Sequence, residues 1–294
     1  MSNSQHAGVD PRNGFLPPRC TVYRKAKRWD LTPPVPVLTD LTGERPSPRV
    51  VARMAWDRSC LYLRADVAER HITLKPELAP DSPQFWTQDH IEFRLLLDPS
   101  RDLDQIQFIS VADGRWWDNQ RLWKREGGVV VSGRQWRDRW LVELKIPVTS
   151  RGVRAPATGT VWRGIVGHIR WADGCPDIVC SSATELGFTQ AERFGEFAFV
   201  DAEPPPVAIT RVKPGQLVLS NTSRRRLSGG LHLSIEHGNG PAATEVVSCC
   251  LTPGETRLPM KWDAEYPLFS RCRLAFTPEE GGAVDLGSVS LRAP

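Results

Sequence analysis

The sequence predicts an all-β protein: an antiparallel β-sandwich or jelly roll followed by a second, smaller immunoglobulin-like β-sandwich. Three observations point there. Twenty-five prolines and 23 glycines cut the 294-residue chain into short stretches. Those stretches alternate apolar and polar residues with the two-residue period of a half-buried strand. No long segment keeps the 3.6-residue period of an amphipathic helix.

Taken in order, residues 1–19 read as a flexible tail. Arg49–Trp56 and Cys60–Val67 alternate on either side of Asp57-Arg58-Ser59, a run of turn formers, and make a hairpin. His90–Leu97 places Ile91, Phe93, Leu95 and Leu97 on one face, with Trp86, Asp89 and Glu92 at its mouth. Gln105–Val111 follows the turn residues Asp98-Pro99-Ser100, and Gly128–Gly133 comes after the turn at Asp113-Gly114. Trp140–Ile146 is stopped by Pro147, which cannot donate to a ladder, and its Glu143 points opposite to Val142 and Leu144. Val161–Trp171 ends at Ala172-Asp173-Gly174, and Phe194–Phe199 closes the set. Roughly eight antiparallel strands at this spacing indicate a sandwich or jelly roll over residues 20–202.

The prolines 204–206, in a linker at 203–206, favour an extended spacer. Beyond it Gln216–Ser220, Gly230–Glu236, Thr244–Leu251, Cys272–Phe276 and Val284–Leu291 alternate with almost no Trp, as a small immunoglobulin-like sandwich over 207–294 requires.

Composition narrows the function classes. With 38 Lys and Arg against 34 Asp and Glu, the net charge is +4. The single dense basic run, Arg224-Arg225-Arg226, lies between turn residues, so no nucleic-acid patch is expected. Seven Cys without a Cys-x-x-Cys pair, two of them vicinal (Cys249 and Cys250), read as free thiols and favour a cytoplasmic location. The first residues lack the charged start and apolar stretch of a secretory signal, and no apolar run approaches the ~20 residues of a membrane span. There is no nucleophile elbow, zinc-protease helix, phosphate loop or dinucleotide fingerprint, so no enzyme is expected. Oligomeric state cannot be read from these residues. Eleven Trp against three Tyr, ten of the Trp between Trp29 and Trp171, exceed what a core needs and leave room for a binding face. An indole stacks on the apolar face of a sugar ring, and carboxylates accept from its hydroxyls.

Four stretches stand in order: Val51-Ala-Arg-Met-Ala-Trp-Asp-Arg-Ser-Cys-Leu-Tyr-Leu, Trp86-Thr-Gln-Asp-His-Ile-Glu-Phe, Trp140-Leu-Val-Glu-Leu-Lys-Ile-Pro and Arg193-Phe-Gly-Glu-Phe-Ala-Phe. Together they resemble family 9 carbohydrate-binding modules and their DOMON-like relatives. The resemblance implies a sandwich that binds an oligosaccharide or polysaccharide chain end between two aromatic walls. It places Trp86 at one wall and Glu92 at a sugar-contacting carboxylate, and sets Gln107 near a position where the family has a sugar-contacting Arg. Trp56, Asp57, Tyr62, Pro147 and Gly195 match residues that look architectural. Where relatives carry the second Trp, this chain has Cys180 or Ser181; Trp171, or Trp116, Trp117 and Trp123, are the candidate replacements. The family often holds structural calcium, for which Asp173 and Asp177 are the candidate ligands on a turn. Its DOMON-like relatives include haem domains with Met and His ligands, which makes Met54 and His168 an alternative pair. A third alternative is a degenerate sandwich serving as a structural or interaction module.

Overall fold

The computed structural model describes residues 18–25, 29, 32–35, 39–40, 49–97, 105–119, 128–148, 155–182, 184, 187–213, 215–237, 240–260 and 270–291. The predicted tail up to residue 17, the turn at 98–100 and Trp123 lie outside the described residues. The chain is all-β, and its strands pack as sandwiches.

The strands of the first part are β1 (Arg19–Arg24), β2 (Thr39–Asp40), β3 (Val50–Trp56), β4 (Cys60–Val67), β5 (His90–Leu96) and β6 (Gln105–Val111). They continue as β7 (Trp116–Asp118), β8 (Val130–Gln135), β9 (Trp140–Pro147), β10 (Val161–Ala172), β11 (Cys175–Cys180) and β12 (Gly195–Phe199). One layer runs β7-β6-β5-β10-β12, with β11 beside the far end of β10, and the other runs β3-β4-β9-β8. β1 joins them. Its residues Arg19–Val22 lie parallel to Glu196–Phe199 of β12, and Tyr23 and Arg24 then pair parallel with Ala55 and Trp56 of β3. Every other described pairing is antiparallel.

Between the layers lies one core, which includes Val22, Trp56, Leu63, Phe93, Phe108 and Trp140. Trp56 meets Phe199 edge-on at 5.9 Å and donates its indole N–H to the Val200 carbonyl. Asp57 closes the β3–β4 hairpin: Oδ1 accepts from the Ser59 and Cys60 amides, and Oδ2 from the Tyr62 hydroxyl at 2.6 Å. These bonds give the Trp-Asp-x-x-x-x-Tyr pattern an architectural reason. Glu143 points outward and accepts from Arg64, which also grips both oxygens of Asp66.

Six strands lie outside the set expected from the sequence: β1, β2, β7, β11 and two in the second part. β11 contains Pro176 and Asp177, which a peripheral strand tolerates and a central one does not. β7 and β2 are too short to show a period.

The second part comprises β13 (Val207–Lys213), β14 (Gln216–Asn221), β15 (Leu227–His237), β16 (Gly240–Leu251), β17 (Gly254–Pro259), β18 (Ser270–Pro278) and β19 (Val284–Leu291). A three-stranded sheet, β13-β14-β17, faces a four-stranded one, β16-β15-β18-β19, across a separate core that includes Leu217, Leu219, Leu231 and Phe276. β13 and β17 are the other two strands outside the expected set. All seven cysteines are free. Cys249 packs against that core, while Cys250 lies beside Arg226 and Ser228, so the vicinal pair diverges.

Candidate functional site

The second face of β5 differs from the half-buried face expected of it. His90 and Glu92 are buried as deeply as Ile91 and Phe93. β5 is a central strand between β6 and β10, and two small apolar clusters cover its outer face. One joins Ile165 and Ile169 of β10 to Phe188, Ala191 and Phe194. A Cβ at Gly167 would stand 2.0 Å from the Phe188 ring, so that ring occupies the space a side chain would fill. The other joins Ile109 and Val111 of β6 to Phe85, with Trp117 packed against it.

Phe85 and Trp86 belong to a single 3-10 turn, Pro83–Thr87, whose Gln84 amide donates to the Ser82 hydroxyl. So tight a turn sends neighbouring side chains in different directions: Phe85 is fully buried, and Trp86 is 55% exposed. The turn is tied down from both sides. Arg115 donates to the carbonyls of Leu78 and Lys75, and Gln88 accepts from the Lys75 amide at 2.7 Å. Asp89 accepts from the amides of Thr73 at 2.9 Å and Trp171 at 2.5 Å. Burial raises the Asp89 carboxyl above its ordinary range against the pull of those two amides. Both oxygens of Asp89 are therefore spent on the scaffold.

Trp171, near the end of β10, donates its indole N–H to the Trp86 carbonyl at 3.0 Å. The two rings stand 6.5 Å apart, tilted by 51°. An exposed indole fixed against a second indole is a rigid apolar platform with a polar rim.

Glu92 forms a second constellation. One carboxylate oxygen accepts from Arg94 Nε and from Gln107 Nε2 at 2.9 Å; the other stands 3.7 Å from His90 Nε2. Burial pushes the Glu92 carboxyl up, and the donors around it outweigh that effect and hold it below its usual range. The register that pairs Arg94 with Gln107 across β5 and β6 brings these groups together. Sequence reasoning passed over Arg94. Its only signal was the i, i+2 spacing from Glu92, which puts both on one face of a strand.

The structure thus joins Trp86 to Trp171 and Glu92 to Gln107. Trp117 packs on the Phe85 cluster, and Trp116 stacks on Phe108 at 6.2 Å against the main core. Asp173 turns the β10–β11 hairpin with φ 52°, and Asp177 accepts from Arg49 at 3.0 Å. Among the described residues no three His, Cys, Asp or Glu side chains cluster as a metal cage would need. With Asp177 paired to a cation, the Asp173 and Asp177 set does not fit calcium. Met54 and His168 both lie in the interior, but Met54 is enclosed by core side chains and His168 packs on Trp140 at 5.9 Å. That close packing does not fit haem.

No family model matches the chain, and no curated protein matches it. Solved structures do. A family 9 carbohydrate-binding module from Caldicellulosiruptor kristjanssonii, in complex with cellotriose, is 14% identical with TM-score 0.49, covering 63% of this chain and 94% of that one. The same source's family 9 module in complex with glucose is 14% identical with TM-score 0.48, covering 64% and 98%. A putative carbohydrate-binding protein from Bacteroides uniformis is 16% identical with TM-score 0.48, covering 62% and 99%. Likenesses at this level assign no ligand to this chain.

Proposed function

We propose that the first sandwich, over residues 20–202, is a non-catalytic carbohydrate-binding module that holds a terminal sugar or short oligosaccharide on Trp86 and Trp171. The observation that carries this reading is the pair itself: an indole 55% exposed on a turn pinned by Phe85, Gln88 and Asp89, beside a second indole 6.5 Å away. A flat indole at a fixed angle matches the apolar face of a pyranose, and the stiffness of the turn lowers the entropy lost on binding. The order of the four sequence motifs supports the same reading. Glu92 and Gln107 belong to this proposal as the base of the site, with Glu92 setting the direction of its neighbours. Trp117 supports the turn from beneath.

Within the same proposal, residues 207–294 form an immunoglobulin-like appendage after the proline-rich linker, and no reaction is assigned to either part. The test is affinity electrophoresis against a panel of soluble polysaccharides, followed by Trp fluorescence with short oligosaccharides. At least one glycan should retard the protein and perturb its emission, and Trp86→Ala should abolish both effects. Binding that survives Trp86→Ala unchanged removes the site assignment. No glycan response from the parent protein removes the function.

A further inference from the structure

The buried carboxylates around the Trp86 platform are all engaged. Asp89 accepts two backbone amides, Glu69 accepts the Arg70 amide and pairs with Arg170 at 2.6 Å, and Glu92 holds Arg94 and Gln107. A neutral sugar presents hydroxyls that need acceptors as well as donors. The oxygens of these buried carboxylates are turned to the scaffold.

Lys75 and Arg94 keep donors to spare. Lys75 reaches the Thr87 hydroxyl at 3.1 Å, which sets its ammonium beside the residue that follows Trp86. One of its three N–H groups has that partner, and the other two have none among the described residues. Arg94 uses Nε on Glu92, and neither terminal nitrogen of its guanidinium has a partner among the described residues. Arg94 keeps an 18% exposed side chain, while Glu92 behind it is 6% exposed. The ladder puts Arg94 on the platform's own sheet face: Ile169 stands opposite His90, two residues on from it is Trp171, and four residues from His90 is Arg94. Because Trp171 lies beyond His90 on the side away from Arg94, the two are six strand positions apart, about 20 Å. That is too far for one sugar ring and within reach of a short oligosaccharide.

A carboxylate accepts without donating, and it suits the spare donors of Lys75 and Arg94. We infer that the glycan taken by this face is acidic, a uronic-acid oligosaccharide whose carboxylates meet Lys75 beside the Trp86 platform and Arg94 further along the same sheet. This rests on the carbohydrate reading above. The planar fork of Arg94 binds a carboxylate through two parallel bonds, while Lys75 acts as a point charge.

The experiment is calorimetry of the full chain with oligogalacturonate, oligoalginate and oligoglucuronate, each set against neutral cello-, xylo- and malto-oligosaccharides and against methyl-esterified oligogalacturonate. At least one acidic oligosaccharide should bind tenfold or more tighter than its neutral counterparts. Raising ionic strength from low salt to about 0.5 M should weaken it, because exposed charge pairs are screened. Lys75→Gln keeps an amide for Thr87 and should cost several-fold in affinity for the acidic ligand alone; Arg94→Lys should do the same for longer oligomers. Equal or tighter binding of neutral sugars overturns this inference and leaves the carbohydrate reading intact, as does an acidic ligand indifferent to Lys75→Gln. Failure of every glycan to bind overturns both.

Discussion

Glu92 and Trp86 stand six positions apart and serve different purposes. Trp86 is held outward by its turn, whereas Glu92 is buried and bonded inward. Removing the charge from a buried ion pair leaves its partner uncompensated, which costs about 3 kcal/mol. Glu92→Gln should therefore lower unfolding free energy by about that amount in urea titration, and unchanged stability would refute the inward role. The residue types at both positions were legible from sequence. The commitment of the Glu92 oxygens was not, because it depends on the cross-strand register that brings Gln107 opposite Arg94. His168 makes a second case. Burial pushes its imidazole pKa down to about 3, so it stays neutral in the fold. Its unfolded value is about 6.5, so the unfolded chain binds the extra proton first, and stability is complete above pH 6.5. Stability should fall as pH drops from about 6.5 toward 3, by up to about 1.4 kcal/mol per pH unit from this group. Replacing it by His168→Leu should flatten the melting temperature between pH 6.5 and 4, and an unaltered pH profile would show that His168 is not the group responsible.

At the scale of elements, alternation located the strands that are long and apolar and missed those that are short, polar or peripheral. β4, β6 and β19 fall at their expected residues, since each is long enough to show its period. β1 does alternate, but it lies within the stretch ahead of the first expected strand and pairs in parallel, which local patterning cannot reveal. β5 was placed correctly and its burial was not, because Phe188 reaches its outer face from a segment far off in sequence and the turn just ahead of the strand folds Phe85 back onto the neighbouring β6. One close approach joins the two layers. A Cβ on Gly133 of β8 would lie 2.3 Å from the Gly114 nitrogen and 2.5 Å from the Ala112 oxygen, both backbone atoms of the β6–β7 turn. Backbone cannot swing aside as a side chain does. Gly133→Ala should thus destabilise by ~2 kcal/mol, in the range of overpacked cores, and a loss below about 0.5 kcal/mol in chemical denaturation would show that the turn moves freely.

On the scale of the whole molecule, two separate cores coexist with direct contact between β1 and β19. The Arg19 amide donates to the buried Ser288 hydroxyl at 2.7 Å, and the Tyr23 hydroxyl to the Asp285 carbonyl at 3.2 Å. The strand that joins the two layers of the first sandwich is also the strand the second part touches. Composition announced the change of texture after the prolines, while this contact, between residues 269 positions apart, left no local trace. The central claim concerns Trp86, and the chain supplies its own control: Trp136, 42% exposed on the β8–β9 hairpin and stacked under Arg139. The most direct test is calorimetry of the best-binding oligosaccharide against Trp86→Ala and Trp136→Ala side by side. Loss of the Trp86 platform should weaken binding at least tenfold, about 1.4 kcal/mol, with Trp136→Ala indistinguishable from the parent. Equal affinities for Trp86→Ala and the parent protein, or a loss confined to Trp136→Ala, would contradict it.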